Sequence, residues 1–131
     1  MEISKNIINK LFDYGKKEEP IEACGYLAGK NDKIVKFYPM QNQDKSREHF
    51  TFDPQEQFDV MKKIRTEGLE ILAVYHTHPS SPARPSREDI KLAYDPEVIQ
   101  VIASLFKNNK CIRAFKIINE IVNEEELIIK G

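Results

Sequence analysis

Apolar and polar positions along this chain switch between a helical and a strand period, and the switches outline its elements. Ile3, Ile7, Ile8, Leu11 and Phe12 recur at helical spacing with Ser4 placed to cap, which predicts an amphipathic helix ending near Gly15. After the polar run Lys16 to Glu19 and Pro20, the stretch from Ile21 to Gly29 has few polar residues and predicts a buried strand. Lys30-Asn31-Asp32-Lys33 has the character of a hairpin turn, and Ile34 to Tyr38 is the return strand. A polar loop from Met40 to Ser46 leads to a short alternating strand, Phe50-Thr51-Phe52. Asp53 can cap and Pro54 suits the first position of a second helix, which carries Phe58, Met61 and Ile64 and stops at Gly68. Leu69 to Tyr75 predicts a strand that runs into His76 and His78, and a Pro-rich loop to Pro85 precedes a short helix from Ser86 to Tyr94. Val98 to Leu105 is a continuous apolar strand suited to burial on both faces. Lys107-Asn108-Asn109-Lys110 is read as a turn, with Cys111 to Ile118 and Ile121 to Ile129 as the last strands. Hairpins at both ends with helices between them predict an α+β fold, an α/β/α sandwich with a mixed, mostly antiparallel sheet flanked by helices.

Composition narrows the picture. At 131 residues the chain is expected to be one domain, 1–131, long enough for a layered core and too short for a (β/α)8 barrel. A formal charge of −1 with both signs interspersed gives no reason to expect nucleic acid or an anionic membrane as partner. Lys107, Lys110, Arg113 and Lys116 fit a solvated turn and strand face. No apolar run reaches membrane-spanning length and Met1 to Lys5 lacks a signal-peptide core, so a cytoplasmic protein is expected. In that compartment Cys24 and Cys111 are expected to be buried thiols rather than a bridge.

Candidate chemistry gathers at the end of the fourth apolar run. The period of a strand places His76 and His78 on one face, so that their rings can converge on a metal ion. The loop that follows can return Ser86 and Asp89 over the strand end, which supplies a third ligand candidate. Asp89 has a second explanation, because Ser86-Arg87-Glu88-Asp89 is a capping-box pattern in which its carboxylate would face the backbone. Glu22, among apolar neighbours, is either the exposed beginning of its strand or a buried carboxylate able to handle protons. Cys24 shares its face and is read as core packing, and His49 is expected to be exposed.

These residues resemble the JAMM metalloprotease family, also called MPN+ domains. The family pattern is a glutamate in an apolar strand, then His-x-His-Pro, six residues, and Ser-x-x-Asp; Glu22, His76, His78, Pro79, Ser86 and Asp89 each fall on it. The resemblance implies a cytidine-deaminase-like core and one Zn2+ held by His76, His78 and Asp89, the fourth position being left to water whose pKa can fall to about 7. It implies Glu22 as general base and Ser86 as donor to the oxyanion. It further implies hydrolysis of the bond after the Gly-Gly tail of a ubiquitin-like or sulfur-carrier protein. The short segment between Asp89 and Val98 lacks the insertions of the eukaryotic chain-cleaving enzymes, which points to the prokaryotic members. A non-catalytic MPN-type interaction scaffold and a mononuclear iron oxygenase are the competing readings. The first is disfavoured because every metal position is present, and the second because it has no use for Glu22 and Ser86.

Overall fold

The structure, a computed structural model, describes residues 1–108 and 110–131. The chain starts with a short strand, β1 (Glu2–Ser4), and continues through α1 (Lys5–Glu18), β2 (Cys24–Lys30), β3 (Lys33–Met40) and α2 (Pro54–Thr66). It then forms β4 (Glu70–His78), α3 (Arg87–Lys91), β5 (Ile99–Ser104), β6 (Cys111–Ile118), β7 (Ile121–Glu125) and β8 (Ile128–Lys130), with a short 3-10 turn, Phe106–Asn108, after β5. All the strands join one sheet in the order β7-β6-β5-β4-β2-β3-β1-β8. The pairs β2/β3, β2/β4, β5/β6 and β6/β7 are antiparallel, and β4/β5, β1/β3 and β1/β8 are parallel, so the sheet is mixed and mostly antiparallel as expected.

Each face of the sheet has its own helix. Ile7, Leu11 and Phe12 of α1 pack with Leu27, Ala73, Tyr75, Val101 and Ala103, every second residue of the central strands. The intervening positions Tyr26, Ala28, Tyr38 and Val74 face Ile64 of α2. Helix caps follow the sequence signals: Ser4 Oγ accepts from Ile7 N at 3.1 Å, and the Asp53 side chain accepts from Glu56 N at 3.0 Å with Pro54 in the first turn. Both tight hairpins use residues in the left-handed region, Asn31 and Asp32 (φ 53° and 62°) and Asn119 and Glu120 (φ 50° and 65°), the signature of a type I′ turn. β7 and β8 lie on opposite edges of the sheet, yet only Glu126 and Leu127 separate them, so the sheet must curl until its edges approach around α1. Leu127 packs into the α1 core at that point.

Several boundaries differ from the sequence reading. Ile3 belongs to β1 rather than to the helix, and is 1% exposed. The single strand expected over Ile121 to Ile129 splits because Leu127 turns inward and Ile128 N bonds to Met1 O at 2.9 Å. Phe50 to Phe52 forms no ladder beyond one bridge between Asn42 and Phe52. The helix expected to Tyr94 stops at Lys91, and Asp95 and Pro96 follow within a few residues. Cys111, expected to be buried, is exposed at the first position of β6, and it and Cys24 are free thiols. The turn expected at Lys107 to Lys110 falls partly outside the described residues, at Asn109. No helix among the described residues is long and apolar enough to cross a membrane.

Candidate metal centre

β4 is an interior strand, flanked by β2 and β5, and its end can enclose a polar cluster. Its last residues, Tyr75, His76, Thr77 and His78, are all buried. Tyr75 and Thr77 face the α1 side, where Tyr75 Oη donates to Leu11 O. His76 and His78 therefore share the opposite face, where the strand period placed them.

Pro79 ends the ladder, and three contacts fold the following loop back over the histidines. His78 Nδ1 lies 2.8 Å from Pro82 O, Ser104 Oγ donates to Ser81 O at 2.6 Å, and Ala83 packs on Ile102 and Phe115. The return delivers Ser86 to the start of α3. Its hydroxyl accepts from Asp89 N at 3.0 Å, and Asp89 Oδ2 accepts from Ser86 N at 2.9 Å, which completes the capping box. The same Oδ2 atom lies 3.1 Å from His76 Nε2 and 3.1 Å from His78 Nε2. One oxygen of Asp89 thus faces both ways, back to the Ser86 backbone and inward to the two histidines. Burial pushes this carboxyl's pKa up, but hydrogen bonding to both histidines and to Ser86 N outweighs it and holds the group far below the usual carboxylate range.

The donor set fits a divalent ion. His76 Nε2 and His78 Nε2 are 3.2 Å apart, closing a triangle with Asp89 Oδ2. Tetrahedral Zn2+ with bonds near 2.0–2.1 Å requires ligand separations of about 3.3–3.4 Å, so the edges need only relax by tenths of an ångström. The tautomer fits as well: Pro82 O can only accept, so His78 Nδ1 carries a proton, which leaves Nε2 as the nitrogen able to ligate an ion in the triangle. Lone pairs pointed at one another at this distance repel unless a proton or a cation lies between them.

Glu22 completes the surroundings. It precedes β2 instead of lying within it, which corrects the expected strand start, and its backbone bonds to the 42–46 loop instead of to a ladder: Glu22 N donates to Ser46 O at 2.8 Å and Asn42 Nδ2 donates to Glu22 O at 3.1 Å. Ala23 is fastened to Thr77 from both sides, through Ala23 N to Thr77 Oγ1 at 2.8 Å and Thr77 N to Ala23 O at 3.0 Å. The β2/β4 register pairs Cys24 with His76, and carried on two residues it sets Glu22 opposite His78. Glu22 is 2% exposed, so the expectation of an exposed strand start does not hold. Its Oε1, like His76 Nδ1, has no hydrogen-bond partner among the described residues. Burial, and then the Asp89 charge, raise its pKa to about 9. Cys24 is core packing, its thiol donating to Met40 O at 3.6 Å.

Two contributors were not legible in sequence. Phe50 stacks on His76, centroids 4.9 Å apart at 30°, and Asn42 is 1% exposed at the base of the same loop. An asparagine in the polar run Met40 to Ser46 carries no signal beyond that of a turn residue. His49 is half-exposed, its Nδ1 3.0 Å from Asp44 Oδ2. From Asp89 a cavity of about 600 Å3 runs outward between Phe50 and Phe52 of the loop, Val74 and Gln100 of the sheet, Met61 of α2 and Tyr94 beyond α3.

A strand-end histidine pair and a helix-start aspartate form a cluster that could hold one divalent ion, with the buried Glu22 carboxyl in the adjoining segment before β2. Residues 4–118 match the family described as prokaryotic homologs of the JAB domain, and the chain belongs to that family. It is 30% identical over 126 residues to the CysO-cysteine peptidase of Mycobacterium tuberculosis, covering 94% of this chain and 86% of that one. It is 37% identical over 78 residues, 59% of this chain and 52% of the relative, to a probable TtuB-protein conjugate cleaving protease of Thermus thermophilus. A solution structure from Desulfitobacterium hafniense superposes with a TM-score of 0.90 at 37% identity, covering 98% of this chain and 92% of that one. The expected JAMM/MPN fold and class therefore hold, and the chain is an enzyme, a metalloprotease of the JAMM type.

Proposed function

We propose that this chain is a zinc-dependent peptidase or isopeptidase that hydrolyses the amide bond after the C-terminal Gly-Gly of a ubiquitin-like or sulfur-carrier protein, with His76, His78 and Asp89 as metal ligands. The observation that carries the reading is the 3.1–3.2 Å triangle of ligand atoms beside a buried, unpartnered Glu22 carboxyl. A bound Zn2+ would supply Lewis acidity and a water acidic enough to act as nucleophile at neutral pH. Glu22 would hold the attacking water's proton and pass it to the departing amine, a role that suits a carboxyl with no competing hydrogen-bond partner at Oε1. Ser86 Oγ already accepts from Asp89 N, so its own proton is free to be donated to the substrate carbonyl oxygen as negative charge develops there. The cavity reaching Asp89 suits an extended segment, and a tail of glycines presents no side chain to clash with its walls.

The names of the two relatives support this substrate class, one a CysO-cysteine peptidase and the other a probable TtuB-protein conjugate cleaving protease. A cytoplasmic setting agrees with two unbridged cysteines. The test incubates the zinc-loaded protein, Glu22→Gln and Asp89→Ala with ubiquitin-like carriers extended past Gly-Gly, and with isopeptide conjugates of the same carriers. Cleavage after Gly-Gly by the wild type alone, with zinc retained in Glu22→Gln and lost in Asp89→Ala, is the expected pattern. Equal activity in all the proteins would refute the assignment.

A further inference from the structure

A base has to be aimed, and Glu22 lies outside the sheet ladder that would hold it. The answer lies in the loop between β3 and α2. Asn42 is 1% exposed and all of its side-chain polar capacity is used on the backbone. Nδ2 donates to Glu22 O at 3.1 Å and to His49 O at 3.0 Å, and approaches Ser46 O at 3.4 Å; Oδ1 accepts from Asp44 N at 3.1 Å and Thr51 N at 3.3 Å. His49 and Thr51 bracket Phe50, the residue stacked on His76. Ser46, held by the same amide, accepts from Glu22 N at 2.8 Å. One buried side chain thus grips both flanks of the Glu22 peptide, through its own donor and through the loop it shapes, while fixing the ring that covers His76.

We infer that Asn42 is a positioning residue for the reaction: its amide sets the Glu22 carboxyl relative to His76 by tying the Glu22 carbonyl and the Phe50 segment to one point. The inference rests on the assignment of Glu22 as base. Nothing in it requires Asn42 to touch substrate or metal. A buried amide that merely stabilised the loop would cost folding free energy when removed and leave turnover per folded, metal-loaded molecule unchanged. A positioning residue changes turnover itself, on the scale of about 10- to 100-fold seen when groups that orient catalytic or ligand side chains are lost.

The substitutions that separate these cases are Asn42→Asp and Asn42→Ala. Asn42→Asp keeps an acceptor for Asp44 N and Thr51 N and loses the donors to the Glu22 and His49 carbonyls, so the loop can fold while Glu22 is released. Zinc affinity, melting temperature, kcat and KM are measured at saturating zinc and well below the melting temperature, beside Glu22→Gln and a core control on the opposite face, Ile7→Val. The expected result is a fall in kcat of about 10- to 100-fold for both Asn42 variants, with KM within about threefold. Zinc affinity should stay within about tenfold, because the β4 ladder still holds both histidines, and Ile7→Val should keep its kcat. If Asn42→Ala does not fold, Asn42→Asp and Asn42→Ser carry the test. Wild-type kcat in Asn42→Asp, while Glu22→Gln is inactive, overturns the inference alone, as does loss of zinc from the Asn42 variants. Full activity in Glu22→Gln overturns the base assignment and this inference with it.

Discussion

Asp89 and Glu22 are two carboxyls of one site, both withdrawn from water, and their acidities are driven in opposite directions. Asp89 reaches the site from the loop and helix after β4, where both histidines and the Ser86 amide direct hydrogen-bonding groups at one of its oxygens. Glu22 reaches it from the segment before β2, where the surrounding loop grips only its backbone and leaves Oε1 unpartnered. Burial penalises the charge on each, and only Asp89 has enough partners to reverse that penalty. The difference matches the proposed division of labour: a ligand has to be permanently anionic, whereas a base has to exchange a proton.

The largest way to break this comparison is to remove each carboxyl in turn. Asp89→Ala deletes a ligand candidate and leaves the buried histidines facing a void, so zinc binding by mass spectrometry and cleavage should both disappear. Glu22→Gln keeps the shape and the triangle, so zinc should bind while kcat falls by about 10^3-fold or more, the scale of catalysis expected from a positioned base in combination with the ion. If Glu22→Gln lost zinc, or Asp89→Ala kept it, the two roles would be exchanged.

The same pair predicts a pH effect on stability in the metal-free protein. The Glu22 pKa is raised from 4.5 to about 9 in the fold, so the stabilisation it contributes is complete below about pH 4.5 and is lost as the pH climbs toward 9. Asp89, held below its unfolded value of 3.8, contributes above that pH and loses its contribution as the pH falls further. Glu22→Gln cannot ionise, so it should be more stable than wild type by roughly 2–4 kcal/mol near pH 8 and about equal near pH 5, by denaturant titration without metal. Zinc should flatten the wild-type slope, because a dication beside Glu22 favours its ionised form. A wild-type curve parallel to that of Glu22→Gln across this range would show that Glu22 is not driven up by burial.

How much of this was legible in the chain depended on whether a contact is local. His76, His78, Ser86 and Asp89 fall within fourteen residues, and strand period, proline and capping pattern together dictate their meeting. The hairpin turn at Asn31 and Asp32 and the helix caps were equally local. From its neighbours alone Glu22 was visible only as an anomaly, because its burial depends on Asn42 and Ser46, some twenty residues on, and on Thr77 through Ala23; the family pattern named it as base. The split of the last strand was hidden for the same reason, since β7 and β8 take partners from opposite edges of the sheet. A polar loop whose order comes from one buried amide looks, residue by residue, like any other polar loop.

Two smaller substitutions sharpen the comparison by loosening one side of the site at a time. On the Glu22 side, α1 approaches β4 so closely that a Cβ at Gly15 would lie 2.7 Å from Thr77 Cγ2 and 3.3 Å from Tyr75 Oη. Gly15→Ala must therefore shift Thr77, whose hydroxyl holds Ala23 next to Glu22. It should cost about 1–3 kcal/mol by overpacking, and should lower kcat more than zinc affinity.

On the Asp89 side, Ser104→Ala removes the hydroxyl that donates to Ser81 O at 2.6 Å and pins the loop carrying Ser86 and Asp89. The hydroxyl also accepts from Phe106 N at 3.1 Å, so two bonds are lost, worth about 1 kcal/mol each. The consequence should be the mirror image of that at Gly15, because the loop delivers a ligand, carries Ser86 locked to that ligand by the capping box so that zinc reseats both together, and leaves the base untouched. Zinc should bind several-fold more weakly by competition with a chelator, while kcat at saturating zinc stays near wild type. Ala83 still packs on Ile102 and Phe115, and Pro82 O still meets His78 Nδ1, so the loop remains seated and the effect stays small. If Ser104→Ala lowered kcat at full metal occupancy while Gly15→Ala chiefly weakened zinc binding, ligand and base could not be supported by separate parts of the fold. The opposite acidities of Asp89 and Glu22 would then reflect one shared environment instead of two.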